Sequence, residues 1–466
     1  MTAVHDLVLK NGTIVTPEGV IQGGVAISDG RIAAVGVDPG MGHQEIDLAG
    51  RTVLPGLIDP HVHFGFGDEI DDETMAEDFE KNSKDSLVGG VTTIATTTTL
   101  RPGTLPELFD AALKAGSGQS YCDFKLTSVV NSAEQVSQIP QVIDRGGVSF
   151  KFFTGYVGAQ AEAMGIDPRG ITPDLFYRAN ELLAASKVPT FAAIHAEDPY
   201  VRGILVDRVR QETGSAESLV AWAESSPEFA ESLQIYTFGL ISNGLGVPIY
   251  PVHISAAQSV DTIHGMRKSG IDITAETLTF YLNTTADEMD AHGMGSKAKV
   301  QPPVRYQRDQ DRLWKGIQDG DLTIVATDSC TYSSRGKAGD FWECRVGGNI
   351  QFSDTLPLMW DKGINGGRIS LNRLAEITSS NAARRYGLYP RKGAIAVDSD
   401  ADLVVVDPER EMTLGVDRYR GISDYSIWEG RKVKGAPVMT FLHGELVMQD
   451  GEITAKKPSG RHLVAA

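Results

Sequence analysis

The chain is poor in cysteine and has no long apolar run. Cys122, Cys330 and Cys344 are the only cysteines in 466 residues. They form no C-x-x-C pair, and so sparse and odd a set builds no disulfide framework, leaving buried or inert thiols. No stretch approaches the roughly 18 apolar residues of a membrane span. Met1 to Lys10 carries no basic segment followed by an apolar core, so a secretory signal is not expected and the cytoplasm is the expected compartment. An excess of basic charge is also missing. The 43 basic and 61 acidic residues give a net charge of −18, which favours solubility and argues against nucleic acid or an anionic membrane as partner. What remains is an enzyme-like composition, 41% hydrophobic and 22% charged. The length suggests a large domain plus a smaller one.

The two ends of the chain read alike. Leu7 to Val53 is a series of short alternating runs punctuated by Asn11-Gly12 and Asp29-Gly30, which is hairpin chemistry. The same signature returns in Gly393 to Asp407 and in Phe441 to Gly451. A small β-sandwich built from residues 1–57 and 390–466 is therefore expected. Between them, β-branched runs alternate with helical patterns: Gly90–Thr96, Phe124–Val130, Val148–Phe153, Pro189–His195, Pro248–His253, Ile271–Glu276 and Leu322–Asp328. With the run before His61 these make eight, the number a (β/α)8 TIM-type barrel needs, so residues 58–389 are expected to form an α/β barrel.

Alternation along a strand puts residues i and i+2 on one face, so His61 and His63 can reach a single ion from the end of Val53–Pro60. Taken alone, His-x-His is weak, and a single His195 or His253 reads first as a hydrogen-bonded core histidine, Lys151 as a rim charge and Asp328 as a helix cap. Together they outweigh those readings. Five barrel runs end in His61 with His63, Lys151, His195, His253 and Asp328, and the C-terminal strand ends of such a barrel converge on its active site. Imidazole and carboxylate ligands suit Zn²⁺, with Mn²⁺, Co²⁺ and Fe²⁺ as substitutes. An ammonium at Lys151, with its reference pKa near ~10.4, would repel a cation. Carbamylation by CO₂ would turn it into a carboxylate-ended ligand able to serve two ions.

Asp59-Pro-His-Val-His63, Ser149-Phe-Lys-Phe-Phe-Thr-Gly-Tyr156, Ile194-His-Ala-Glu197, Pro251-Val-His-Ile-Ser255 and Thr327-Asp328 resemble the motif series of the amidohydrolase superfamily, in its dihydropyrimidinase and hydantoinase branch. Ala76-Glu-Asp-Phe79, Glu276-Thr277, Pro302-Pro-Val-Arg305, Ser380 to Gly393 and Trp428-Glu-Gly430 extend the resemblance over nearly the whole chain. It implies two divalent ions, most simply Zn²⁺: one on His61, His63 and Asp328, the other on His195 and His253. N6-carboxylysine at Lys151 and a hydroxide would bridge them. It also implies Asp328 as general base and acid, and Tyr156 as donor to the developing oxyanion. The implied partner is a small cyclic amide, and the implied assembly a homotetramer. The tail from Lys456 reads either as an exchanged arm or as disordered.

The recognition residues depart from the pattern. Hydantoinases carry a small polar residue before the Pro-Pro pair, where this chain has Gln301. Their second contact is an Asn-Gly after the last barrel strand; Gly347 falls opposite that asparagine, with Asn349 two positions later as its substitute, and Ser329 replaces the usual histidine after Asp328. Phe64, Phe66, Phe152 and Phe153 are candidates for an apolar wall around a substituent. Dihydroorotases follow His-x-His with an arginine, where this chain has Phe64-Gly-Phe-Gly67; allantoinases lack the tyrosine matched by Tyr156. The expected reaction is hydrolysis of a cyclic amide C–N bond of the dihydropyrimidine, hydantoin or related ureide or imide type. The rivals are an allantoinase-like or dihydroorotase-like enzyme, an acyclic N-acyl amino acid amidohydrolase, and a non-catalytic dihydropyrimidinase-related assembly protein.

Overall fold

The computed structural model describes residues 4–67, 69–214, 216–348 and 350–465. Both chain ends enter one nine-stranded sheet. From the N-terminal side come β1 (Val4–Thr16), β2 (Gly19–Ser28), β3 (Arg31–Gly36), β4 (Met41–Asp47) and β5 (Thr52–Pro55). Strand β5 is the seam: it runs parallel to β1 and antiparallel to a strand from the other end, Leu403–Thr413, pairing Leu54 with Val404. Leu9, Ile14, Val25, Ile27, Val53, Leu403, Val405 and Phe441 form one buried cluster from both ends.

The expected hairpin at Asp29-Gly30 is present. Both residues have left-handed backbone, φ 51° and 73°, and Ser28 pairs with Arg31 across the turn, as a two-residue type I′ connection requires. Asn11-Gly12 is different. Asn11 has φ 57° within the continuous strand β1, and the register to β2 shifts between Leu9 and Gly12. The left-handed residue there makes a β-bulge instead of ending the strand.

The central region supplies β6 (Leu57–Val62), β7 (Val91–Thr97), β8 (Asp123–Val129), β9 (Ser149–Phe153), β10 (Phe191–His195) and β11 (Ile249–Pro251), a parallel sheet in sequence order. Strands β12 (Glu276–Leu278) and β13 (Ile324–Ala326) form a parallel pair. Isolated parallel bridges link Ile249 to Ile273 and Val62 to Ser329. Helices separate the strands, among them Asp72–Val88, Pro173–Ala184, Pro199–Thr213, Glu228–Gly244, Ala257–Lys268 and Gln307–Asp319. Seven of the eight runs read from the sequence lie where expected. The exception is Ile271–Glu276: only a single bridge forms at Ile273, and the strand proper begins at Glu276. At the C-terminal end, β14 (Leu403–Thr413), β15 (Lys432–Leu442), β16 (Glu445–Gln449) and β17 (Glu452–Ile453) complete the nine-stranded sheet.

The tail lies on its own chain. Phe124 N–H donates to the Arg461 carbonyl at 2.9 Å, Leu463 N–H returns to Phe124 at 2.8 Å, and Lys125 Nζ donates to the Leu463 carbonyl at 3.0 Å. Leu463 is buried with Ile58, Val148, Phe191 and Tyr250. All three cysteines are buried and free. No described helix is long and apolar enough to cross a membrane.

Candidate metal centre

The pleat decides which side chains reach the centre. On β9, Lys151 and Phe153 turn inward, whereas Phe152 packs edge-on against Phe176 of the Pro173–Ala184 helix with ring centroids 4.9 Å apart. His61, near the end of β6, and His63, one residue past it, both turn inward. His61 Nε2 lies 3.2 Å from Lys151 Nζ and 3.3 Å from Asp328 Oδ1, and His63 Nε2 lies 2.9 Å from the same oxygen. His61, His63 and Asp328 each offer a ligand atom within 4.8 Å of the others. From β10 and the turn after β11, His195 Nδ1 and His253 Nε2 face each other at 3.0 Å. His253 and Asp328 hold left-handed backbone, φ 43° and 54°, although neither is glycine. Strained backbone of this kind persists where the surroundings over-determine it, commonly at functional sites.

The electrostatics suit cation binding. Burial pushes the His61 and His253 pKa values well below the ordinary imidazole range, helped at His61 by the Lys151 charge and at His253 by its histidine neighbour, so both rings are neutral with a lone pair to give. Burial works to raise Asp328, but His61, His63 and Lys151 outweigh it and hold the carboxyl below its usual value. Lys151 is fully buried, and burial lowers it to about 8 against the pull of Asp328 and Glu276. A neutral amine, the form that can add CO₂, is within reach at ordinary pH.

Several supporting residues carry no role in the sequence reading. Glu276 accepts from His61 Nδ1 at 2.8 Å, from the His253 N–H at 3.0 Å and from the Tyr250 hydroxyl. Glu197 Oε2 lies 2.9 Å from His195 Nε2, and Thr97 Oγ1 lies 2.9 Å from His63 Nδ1. Such partners fix the tautomer and turn the other ring nitrogen to the metal side. Asp59, pushed up to about 7 by burial, accepts from Thr327 Oγ1 at 2.6 Å and the His61 N–H at 3.2 Å, tying β6 to the Asp328 turn. Two of these were findable: Asp59 and Glu197 each sit two residues from a candidate histidine, His61 and His195.

The centre opens into a cavity of about 90 Å³ lined by Phe66, Leu100, Phe153, Tyr156, Met164, Gln301, Tyr332, Val346 and Gly347 together with His63, His195, His253, Asp328 and Cys330. This is well below the roughly 300–1,000 Å³ of sites for drug-sized ligands, so the space suits a small ring. Phe64 requires a correction. It packs edge-on against Phe79 and Phe352, with ring centroids 5.1 and 6.5 Å away, because one position past His63 the side chain turns to the helix side. The apolar wall is Phe66 and Phe153, without Phe64 or Phe152. Gln301 is buried on the wall and its Nε2 has no hydrogen-bond partner. Gly347 lacks a side chain because Tyr332 lies across it: a Cβ there would stand 2.4 Å from Tyr332 Cε2. Asn349 falls outside the described residues.

The model of the amidohydrolase family matches residues 52–447. The chain belongs to the amidohydrolase family. A D-hydantoinase of Geobacillus stearothermophilus is 30% identical over 98% of this chain and 96% of its own. An allantoinase of Rubrobacter xylanophilus is 32% identical over 99% and 98%. The solved structure of an L-hydantoinase (dihydropyrimidinase) from Arthrobacter aurescens superposes with a TM-score of 0.89 at 28% identity, over 99% of this chain and all of that one (100%). The neutral His61 ring, the anionic Asp328 and their convergence with His63 fit a divalent cation of the kind that nitrogen and oxygen ligands hold.

Proposed function

We propose that the chain hydrolyses the C–N bond of a small cyclic amide, of the dihydropyrimidine, hydantoin or related cyclic ureide or imide type. The observation that carries this reading is the approach of Lys151 Nζ to His61 Nε2 at 3.2 Å, beside Asp328, which itself lines a ring-sized cavity. The likeness to hydantoinases over nearly the full length supports it. The architecture we infer is a (β/α)8 barrel over 58–389, closed through the Val62–Ser329 and Ile249–Ile273 bridges. The nine-stranded sheet of 1–57 and 390–466 folds over on itself as a sandwich. The assembly is a homotetramer.

His61, His63 and Asp328 would hold one divalent ion and His195 with His253 a second, Zn²⁺ before Mn²⁺, Co²⁺ or Fe²⁺, with Lys151 serving both after its neutral amine adds CO₂ and loses a proton to give a carbamate. Bound there, such ions polarise the carbonyl under attack and make water acidic enough to react near neutral pH. The chain's own residues do the rest. Asp328, kept anionic by its neighbours, takes the proton of the attacking water and returns it to the leaving nitrogen. Tyr156, on the cavity wall with its ring centroid 5.2 Å from that of His195, keeps its proton because burial raises its pKa, and donates a hydrogen bond to the oxyanion. Gln301 contacts the ring, and Phe66 and Phe153 exclude water.

The test is turnover of dihydrouracil, hydantoin, a cyclic imide and an N-acyl amino acid by the same preparation, before and after chelation. Ring opening lost on chelation and restored by Zn²⁺ or Mn²⁺ is expected, together with loss of about 10²–10³ in kcat for Tyr156→Phe. Chelator-insensitive turnover, or turnover of the acyclic amide alone, would overturn the proposal. A metal-free protein inert to all four would favour the assembly protein.

A further inference from the structure

Helix Glu228–Gly244 is apolar on two opposite sides. Ile235 and Phe238 are fully buried against the barrel, yet Phe229, Leu233, Tyr236 and Leu240 are 48%, 47%, 52% and 45% exposed. Their spacing of i, i+4, i+7 and i+11 makes one continuous stripe. The neighbouring helix Pro199–Thr213 adds Tyr200 and Ile204, 65% and 63% exposed. The two helices are joined at their starts, where Asp198 N–H donates to the Ala230 carbonyl at 3.0 Å and Gln234 Nε2 to Asp198 Oδ2 at 3.1 Å. Three of the four exposed aromatic side chains among the described residues fall on this one face. A helix that is hydrophobic all round is normally covered on every side.

We propose that this face is a self-interface, covered by the same face of a second copy of the chain across a two-fold axis. Charge favours that occupant. Each copy carries a net charge of −18, so two copies repel over most of their surfaces, whereas Ser232 to Gly244 contains no charged residue. Area favours it as well: six half-exposed large side chains offer roughly 600 Å² per copy, most of the roughly 800 Å² that a standard interface takes from each partner. The stripe is also self-complementary. Run antiparallel about a point between Leu233 and Tyr236, it sets Phe229 against Leu240 and Leu233 against Tyr236, twice over.

The contact would reach the metal centre. Helix Pro199–Thr213 starts directly after His195-Ala-Glu197-Asp198. Glu231 of the other helix accepts the Ser255 N–H at 3.2 Å, two residues past His253. Covering the face would therefore brace the turns that carry both histidines of the second pair.

The inference deepens the homotetramer reading by naming one of its surfaces, and the two can fail separately. Sedimentation velocity of the full chain is compared for wild type, Leu233→Glu, Tyr236→Lys, their 1:1 mixture, and Val397→Glu as a control at another exposed apolar position. Wild type is expected to sediment as a multiple of 50.1 kDa. Each single variant should fall to a smaller species with its circular dichroism unchanged. The mixture should regain the lost mass, since the carboxylate introduced in one copy then meets the ammonium introduced in the other, a rescue that misfolded variants could not give. The control should match wild type. A wild-type dimer removes the tetramer and keeps this face; a wild-type monomer, single variants of undiminished mass, or dissociated variants that stay apart when mixed overturn the interface.

Discussion

His195 and His253 face each other across 3.0 Å, Nδ1 to Nε2, but different surroundings stand behind them. Behind His195, Glu197 takes Nε2 at 2.9 Å; behind His253, Nδ1 is buried with no partner. Burial works to raise Glu197, and His195, Arg202 and Ser226 outweigh it, holding the acid at about 2. The charge that orients this pair therefore enters through His195. Glu197→Gln keeps the shape and removes the charge, and the second equivalent of Zn²⁺ should bind about 10–100-fold more weakly while the first is little changed. Metal titration followed by calorimetry reads this directly; two equivalents bound as tightly as in wild type would refute it.

What the sequence made legible follows from what a local pattern can encode. The periods of two and 3.6 locate strands and helices, so seven of the eight central runs and the pairing of the two chain ends could be read, and His61, Lys151, His195, His253 and Asp328 could be placed on strands or just past them. Contacts between distant segments were beyond it. Glu276 reaches His61 from 215 positions away, and nothing near either residue marks the pair. Phe64 illustrates the other difficulty. Past the end of β6 the pleat no longer fixes the direction of a side chain, and Phe64 and Phe66, two residues apart, part company between the helix side and the cavity. Asn11-Gly12 has hairpin composition but sits in a bulge, because left-handed backbone serves both and only the partner strand distinguishes them.

Gln301 carries a second expectation. Its Nε2 is buried and has no protein acceptor, an arrangement that costs about 1–3 kcal/mol unless a ligand completes it. Gln301→Leu fills similar space without the unsatisfied donor. The melting temperature should hold or rise, while KM for a cyclic amide rises about tenfold or more with metal content intact. A variant that is less stable and equally active would show a structural carboxamide.

Gly347 and Tyr332 form a tight pair at the cavity mouth. An added Cβ would stand 2.4 Å from Tyr332 Cε2, 2.8 Å from its hydroxyl and 2.9 Å from Cys330 Cβ. Gly347→Ala should therefore displace the ring, destabilise the fold by about 1–3 kcal/mol and lower turnover. Tyr332→Phe retains the offending carbon and should give no relief in the double variant, whereas Tyr332→Ala should restore part of the lost stability. Urea unfolding of the wild type, the single variant and the two double variants decides it; an unchanged midpoint for Gly347→Ala would mean the ring has room.

Asp78 makes stability depend on pH. It accepts the Gly65 N–H at 2.8 Å and the Asn82 side-chain amide at 2.7 Å, holding the turn that follows His63. Burial pushes its pKa up to about 7, against about 3.9 for an unfolded aspartate. Between those values the folded chain keeps a proton that the unfolded chain releases. This contribution is therefore complete below about pH 4 and is lost as pH rises through 7. Asp354, also raised to about 7 by burial, adds a slope of the same sign. Asp78→Asn preserves an acceptor and abolishes the titration. Unfolding free energy measured between pH 5 and 7 should then fall less steeply than in wild type, by up to about 1.4 kcal/mol per pH unit, the value of one proton. Parallel curves for the two proteins would show that Asp78 stays ionised in the fold, with the Gly65 and Asn82 donors offsetting its burial.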